Sequence, residues 1–310
     1  MLLGNQYIRN NGWDSFTFRC SSLGKIMTNP KGKSNLEKLN EANSSFVEKA
    51  STYESTVNKE TKTAQKLLTD MTKLSSEIKR LELIKDEPHL SVGCKSFLAD
   101  VYTFGMYGRK EVISSKYIEK GLQLEEDAIT QYALLNKMFF EKNKVREFND
   151  FIEGEVDFKR EDIIYDTKVN WSIFQFNRVS FNKLSELYKW QMTGYNWLFN
   201  TKEAKLIYSL LDTPEHLIQR ELSKLMYEMF GSELNYNQST ELDKSIFDEA
   251  CTQIRRNHTY SDIPIKERVI EVSVPRNEED FELIKNRVAD CRRYLNNFSK
   301  YKNSEDEMGS

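Results

Sequence analysis

The chain has 310 residues, 39% hydrophobic and 30% charged, with 45 basic against 48 acidic side chains, so its formal charge is −3. That balance excludes a uniformly basic DNA-coating protein and an acidic disordered one. The 18 Phe, 15 Tyr and 4 Trp supply apolar bulk for one large domain or two small ones.

Met1 to Asn11 lacks a basic start followed by an apolar run, and no segment has the length and apolarity of a membrane span. A cytoplasmic protein without membrane contact is the expectation. Cys20, Cys94, Cys251 and Cys291 are scattered with no CxxC pair, which reads as free thiols rather than a zinc or iron–sulfur site. His89, His216 and His258 are far apart in polar surroundings, so any metal is expected on oxygen ligands.

From Lys33 to Glu87, Ser, Thr, Lys and Glu dominate and aromatics nearly vanish. Leu67, Met71, Leu74, Ile78 and Leu81 recur at steps of four and three, one seam of a long helix. Leu36, Leu39, Phe46, Tyr53 and Val57 are spaced at roughly helical or heptad intervals, so the segment reads as two antiparallel helices forming an arm, ended by Asp86-Glu87-Pro88. A charged surface insertion with no task of its own is the alternative. Ser91 to Phe104 follows, then one helix over Ser114 to Phe140 with Ile118, Gly121, Leu122, Ala128, Ile129, Tyr132, Leu135 and Phe139 on one side. Phe151 to Lys159 and Ile163 to Val169, joined by a polar turn, read as a β-hairpin. Next come a helix over Leu184 to Phe199, a strand over Ala204 to Leu211, and a helix from Glu215 to Phe230 capped by Thr213 before Pro214. Helices over Asp243 to Asn257 and Glu278 to Phe298 flank a strand over Arg268 to Val274, and Lys302 to Ser310 reads as a frayed acidic tail.

Three places put polar groups where the pattern is apolar. A single continuous helix sets Glu125 mid-stripe, where a carboxylate must be paired, protonated or next to a metal. In the hairpin, Asp166 and Lys168 share a strand face and Asp157 lies across from them; two carboxylates and an ammonium at one spot suit a divalent cation and an activated water, with a cross-strand salt bridge as the alternative. Gln191 and Tyr195 fall one turn apart on the inner face of their helix, where a satisfied core pair is the alternative.

In order, Gly121…Glu125, Asp157, Asp166-Thr167-Lys168 and Gln191…Tyr195 resemble the motifs of the PD-(D/E)XK nuclease superfamily, in its lambda exonuclease, YqaJ and RecB-nuclease branch. Arg19-Cys20-Ser21-Ser22-Leu23-Gly24-Lys25-Ile26-Met27 is similar to that branch's opening basic and Ser-rich segment. The resemblance covers the chain outside the helical insertion. Val156 stands where the superfamily has proline, and Asp166 where many members have glutamate.

The resemblance implies an α/β (α+β) fold, a restriction-endonuclease-like core with a small mixed β-sheet flanked by helices. The core is expected over residues 1–32 and 89–300, a helical hairpin inserted at 33–88 and a flexible tail at 301–310. It implies a metal-dependent DNA exonuclease using Mg²⁺ or Mn²⁺ in two-ion form. Asp157, Asp166, the Thr167 carbonyl and Glu125 would hold metal, Lys168 would activate water, Gln191 and Tyr195 would brace the site, and Arg19 with Ser21 or Ser22 would bind a DNA phosphate. DNA is the implied partner, with a single-strand annealing protein and a second copy of the chain as further candidates. A DNA endonuclease and an inactive scaffold acting through the arm are the competing readings. Arg109, Lys110, Lys116, Lys120, Lys142, Lys144, Arg146, Lys183 and Lys189 supply local positive charge for DNA. Trp171, Phe174 and Phe176 after the DxK strand read as core rings, with stacking on DNA as the alternative.

Overall fold

The computed structural model describes residues 12–112, 114–181 and 184–301; the acidic tail from residue 302 and Lys183 of the basic set lie outside them. Strand β1 (Phe18–Arg19) runs directly into helix α1 (Cys20–Ile26). The chain divides into two compact units, the described parts of Met1–Phe16, Lys25–Lys110 and Glu282–Ser310 forming one, Thr17–Gly24 and Glu111–Phe281 the other.

In the first unit, α2 (Asn35–Ser55) and α3 (Lys62–Ile84) form the expected antiparallel hairpin. Ser34 opens α2 with a reciprocal capping box to Glu37, and Thr61 caps α3, so both starts are written in sequence. Leu39 and Ala42 pack on Leu81 with Leu74 and Ile78 beside them, while Lys49 pairs with Asp70 at 3.0 Å. Asn35 donates to the Ile84 carbonyl and to Glu87, closing the base of the hairpin. Val57, expected on the seam, falls in the connecting loop and is fully exposed. Helix α4 (Val92–Tyr107) presents Cys94 to Cys291, the two buried thiols lying 3.9 Å apart. Tyr301, assigned to the tail by sequence, is buried beside Tyr294.

The second unit carries two small mixed sheets flanked by helices, as the α+β expectation requires. Its elements are α5 (Lys116–Gln123), α6 (Glu125–Asn136), β2 (Glu147–Phe148), β3 (Ile152–Gly154), β4 (Phe158–Arg160), β5 (Ile163–Val169), α7 (Ile173–Val179), α8 (Glu186–Leu198), β6 (Glu203–Ser209), α9 (Glu215–Phe230), α10 (Glu233–Gln238), α11 (Glu241–Arg256) and β7 (Val269–Pro275), with the start of α12 (Glu278–Asn296). One sheet has the order β1-β3-β2, the other β4-β5-β6-β7, in which β5 and β6 are parallel and the outer pairs antiparallel. Ala204, Leu206, Ile207 and Tyr208 of β6 are all buried, the signature of a strand covered on both faces. Ile129 and Tyr132 of α6 close a core with Phe158, Tyr165 and Ile207.

Three sequence expectations change. The helix over Ser114 to Phe140 breaks at Leu124 (φ −105°, ψ 11°), which resets its helical phase; Ile118, Leu122 and Phe139 are exposed, and Lys120 is buried instead. The run from Phe151 to Lys159 divides between the two sheets, β3 pairing with β1 and β4 with β5. Pro214, not Thr213, takes the cap position of α9, and the Thr213 hydroxyl instead pairs with Nδ1 of His258, buried against Trp171 rather than in polar surroundings.

Candidate active site

The hairpin register sets the site. Phe158 pairs with Tyr165, so Asp157, one step beyond the ladder, falls opposite Asp166. Its Oδ2 accepts the Thr167 backbone N–H at 2.5 Å and the Thr167 hydroxyl at 2.6 Å. Parallel pairing with β6 sets Asp166 beside Leu206 and Lys168 beside Tyr208, keeping the two polar groups on one face of a buried sheet. Asp166 is 3% exposed and forms an ion pair with Lys168 through Oδ2.

From α8, Gln191 Nε2 donates to Asp166 Oδ1 at 3.1 Å and to the Tyr195 hydroxyl at 3.1 Å. Both residues are buried, and a helix turn separates them, which is why one amide reaches both. Glycines let the supporting helices close in: a Cβ on Gly194 would lie 2.5 Å from Leu23 Cδ1 and 2.9 Å from Cys20 Sγ, and one on Gly154 2.7 Å from Tyr195 Cε1. Tyr188 places its ring 5.5 Å from Lys168 Nζ and meets Tyr208 edge-on.

Two carboxylates and one ammonium set the electrostatics. Burial and the neighbouring Asp166 charge push Asp157 up to about 7 despite the two bonds from Thr167. Burial pulls Lys168 down, but the Asp166 and Asp157 carboxylates outweigh it and hold the ammonium above its ordinary value. Burial, with the Asp166 charge, raises Tyr195, so it stays a neutral hydroxyl. Asp166 Oδ2 is buried with the Lys168 ammonium as its partner and, among the described residues, no other hydrogen-bond donor. Two desolvated carboxylates that repel each other, with a single ammonium between them, fit a hard divalent cation.

The structure thus brings Asp157, Asp166, Thr167, Lys168, Gln191 and Tyr195 together. Glu125 stands apart from that group: it is half-buried at the first turn of α6 and pairs with Lys142 at 2.9 Å, and among the described residues no three His, Cys, Asp or Glu side chains converge. Lys142 in turn bridges to Phe158, next to Asp157. Arg19 is exposed and pairs with Glu153 at 3.5 Å; Ser21 is exposed and Ser22 half-buried on α1. Several cations expected to face DNA are engaged: Lys116 with Glu221, Arg146 with Glu153 and Glu155, and Lys120 with the Trp171 carbonyl. Tyr188 escaped the sequence reading, as did the place of Cys20 beside Tyr195 and the burial of Lys120, which was expected to face DNA; only the position of Lys120 in an amphipathic helix could have signalled its burial, and the unbroken-helix phase hid it.

No family model matches the chain, and no curated protein matches it. Among solved structures, a phage-related exonuclease from Haemophilus somnus 129PT superposes over 93% of this chain and 97% of that chain, with 22% identity and a TM-score of 0.59. The chain shares the fold of that exonuclease. An alkaline exonuclease from Laribacter hongkongensis is also similar, at 10% identity over 71% of this chain and 88% of that chain, with a TM-score of 0.45.

Proposed function

We propose that this protein is a metal-dependent nuclease that hydrolyses phosphodiester bonds of linear double-stranded DNA from its ends. The observation that carries the reading is the group of buried Asp166 with half-buried Asp157 and Lys168, braced by Gln191. Asp157, Asp166 and the Thr167 carbonyl would hold Mg²⁺ or Mn²⁺, with Glu125 added if Lys142 releases it. The bound cation would supply charge neutralisation at the phosphoryl oxygens.

The chain's own groups account for the rest. Lys168 is protonated and held by Asp166, so it donates to and orients a water beside the scissile phosphate. Gln191 fixes Asp166 Oδ1 while Oδ2 faces the Lys168 ammonium, so a bound cation would share that oxygen with Lys168. Tyr195, neutral and anchored through Gln191, keeps that amide in its donating orientation. Arg19, Ser21 and Ser22 lie on the strand and helix whose Cys20 underlies Tyr195, a location suited to a terminal phosphate. Similarity of the full fold to a phage-related exonuclease favours attack at ends over internal cutting, and a role in processing or recombining phage-type DNA.

The test is digestion of linear duplex labelled at one 5′ or one 3′ end, with and without a 5′ phosphate, in Mg²⁺ or Mn²⁺, beside a closed circle and the Lys168→Ala protein. Loss from the ends of linear DNA alone, abolished by the substitution, supports the exonuclease. Cutting of the circle replaces it with an endonuclease; binding without cutting replaces it with a scaffold.

A further inference from the structure

Helix α7 begins five residues after Lys168, and its faces differ. Phe176 is buried and Ile173 and Val179 are half-buried, whereas Phe174 is 56% exposed and Phe181, just past the helix end, is 92% exposed. Between them Arg178 is exposed, and it pairs with no carboxylate among the described residues. Phe174 and Arg178, four residues apart, share one side of the helix, and Phe181 follows in the turn that ends it, its N–H donating to the Arg178 carbonyl. What sets Arg178 apart is its place between two exposed rings.

This strip is fixed to the catalytic strand rather than carried on a loose loop. The Ser172 hydroxyl caps α7 by accepting Gln175 N–H, and Gln175 Oε1 accepts the Trp171 N–H at 2.9 Å. The Trp171 carbonyl accepts from Lys120, which is buried and lies 5.7 Å and 5.6 Å from the Trp171 and Tyr260 rings. Tyr117 and His258 hold the indole edge-on from two further sides. Asn170 N–H continues the β5–β6 ladder to the Ser209 carbonyl.

We propose that Phe174, Arg178 and Phe181 form a stacking platform for the unpaired bases of a DNA strand entering the Asp157, Asp166 and Lys168 site; this rests on the nuclease reading above. Aromatic rings accept any base because every base has a π face, and a guanidinium both stacks and meets phosphate. Along the helix, Phe174 and Arg178 are four residues apart at ~1.5 Å rise, on the order of 6 Å or about two nucleotides at ~3.4 Å spacing, and Phe181 extends the strip past the helix end. The platform therefore guides a separated strand without reading its sequence.

The experiment uses full-length Lys168→Ala protein, expected to bind without cutting, and the same protein carrying Phe174→Ala or Phe174→Trp. Affinity is measured for duplexes with a 5′ or 3′ overhang whose nucleotides either carry bases or are abasic. The Lys168→Ala protein is expected to bind base-bearing overhangs roughly 5- to 100-fold more tightly than abasic ones. Adding Phe174→Ala should remove most of that ratio, and Phe174→Trp should keep it. A ratio unchanged by Phe174→Ala, or no preference for bases in the first place, overturns the platform. Wild-type digestion of linear DNA, run in parallel, judges the nuclease reading separately: cutting with an unchanged ratio sinks the platform alone, and a lost ratio without cutting sinks the nuclease alone.

Discussion

Replacing Asp157 with Asn should stabilise the metal-free protein while destroying its function. Asp157 is held at about 7, some three units above the ~3.9 of a free aspartate, by burial and by the Asp166 charge. Between pH 4 and 7 the folded protein keeps a proton that the unfolded chain has released, so stability falls as pH rises through that window. At about 1.4 kcal/mol per unit, the penalty reaches about 4 kcal/mol at pH 8 and is about 1.5 kcal/mol at pH 5. An Asn side chain retains an oxygen for the Thr167 N–H and hydroxyl, so the bonds at 2.5 and 2.6 Å persist without the charge. Urea unfolding in EDTA should therefore show the Asp157→Asn protein more stable than wild type at pH 8, with the difference shrinking by about 2.5 kcal/mol at pH 5. Adding Mg²⁺ at pH 8 should stabilise wild type more than the variant. A variant less stable than wild type at pH 8, or a difference independent of pH, would refute the repelling-carboxylate description of the site.

Lys168→Ala and Asp166→Ala should both abolish cleavage of end-labelled DNA; the former also leaves buried Asp166 and half-buried Asp157 without their ammonium, at a cost of about 1–3 kcal/mol in urea unfolding. Gln191→Ala strands Asp166 Oδ1 and the Tyr195 hydroxyl and should cost about 1–3 kcal/mol, with kcat reduced tenfold or more and KM for DNA little changed. Gly194→Ala drives a methyl into Leu23 and Cys20, so a loss of about 1–3 kcal/mol and a lower melting temperature are expected. Burial pulls Lys120 down to about 7, so the folded state holds fewer protons than the unfolded one between pH 7 and 10 and stability rises with pH there; Lys120→Met should flatten that limb of the pH–stability curve.

The sequence by itself determined the local parts. Alternating strand faces put Asp166 and Lys168 together, a four-residue helical step put Gln191 above Tyr195, and capping at Ser34 and Thr61 with the seam through Leu74, Ile78 and Leu81 specified the helical hairpin. These follow from periods of two and 3.6 residues, which chain chemistry alone enforces. What only the tertiary structure decided depends on distant contacts. The break at Leu124 turned Glu125 from a mid-stripe carboxylate into a helix-start partner of Lys142, and it buried Lys120 under Trp171. The division of residues 151–159 between two sheets came from pairing with β1, a segment more than 130 residues upstream of them whose strand character no local pattern displays. The aromatics after Lys168 were separable only by packing: Phe176 found the core and Phe174 did not, because two residues apart on a helix they face opposite sides of it.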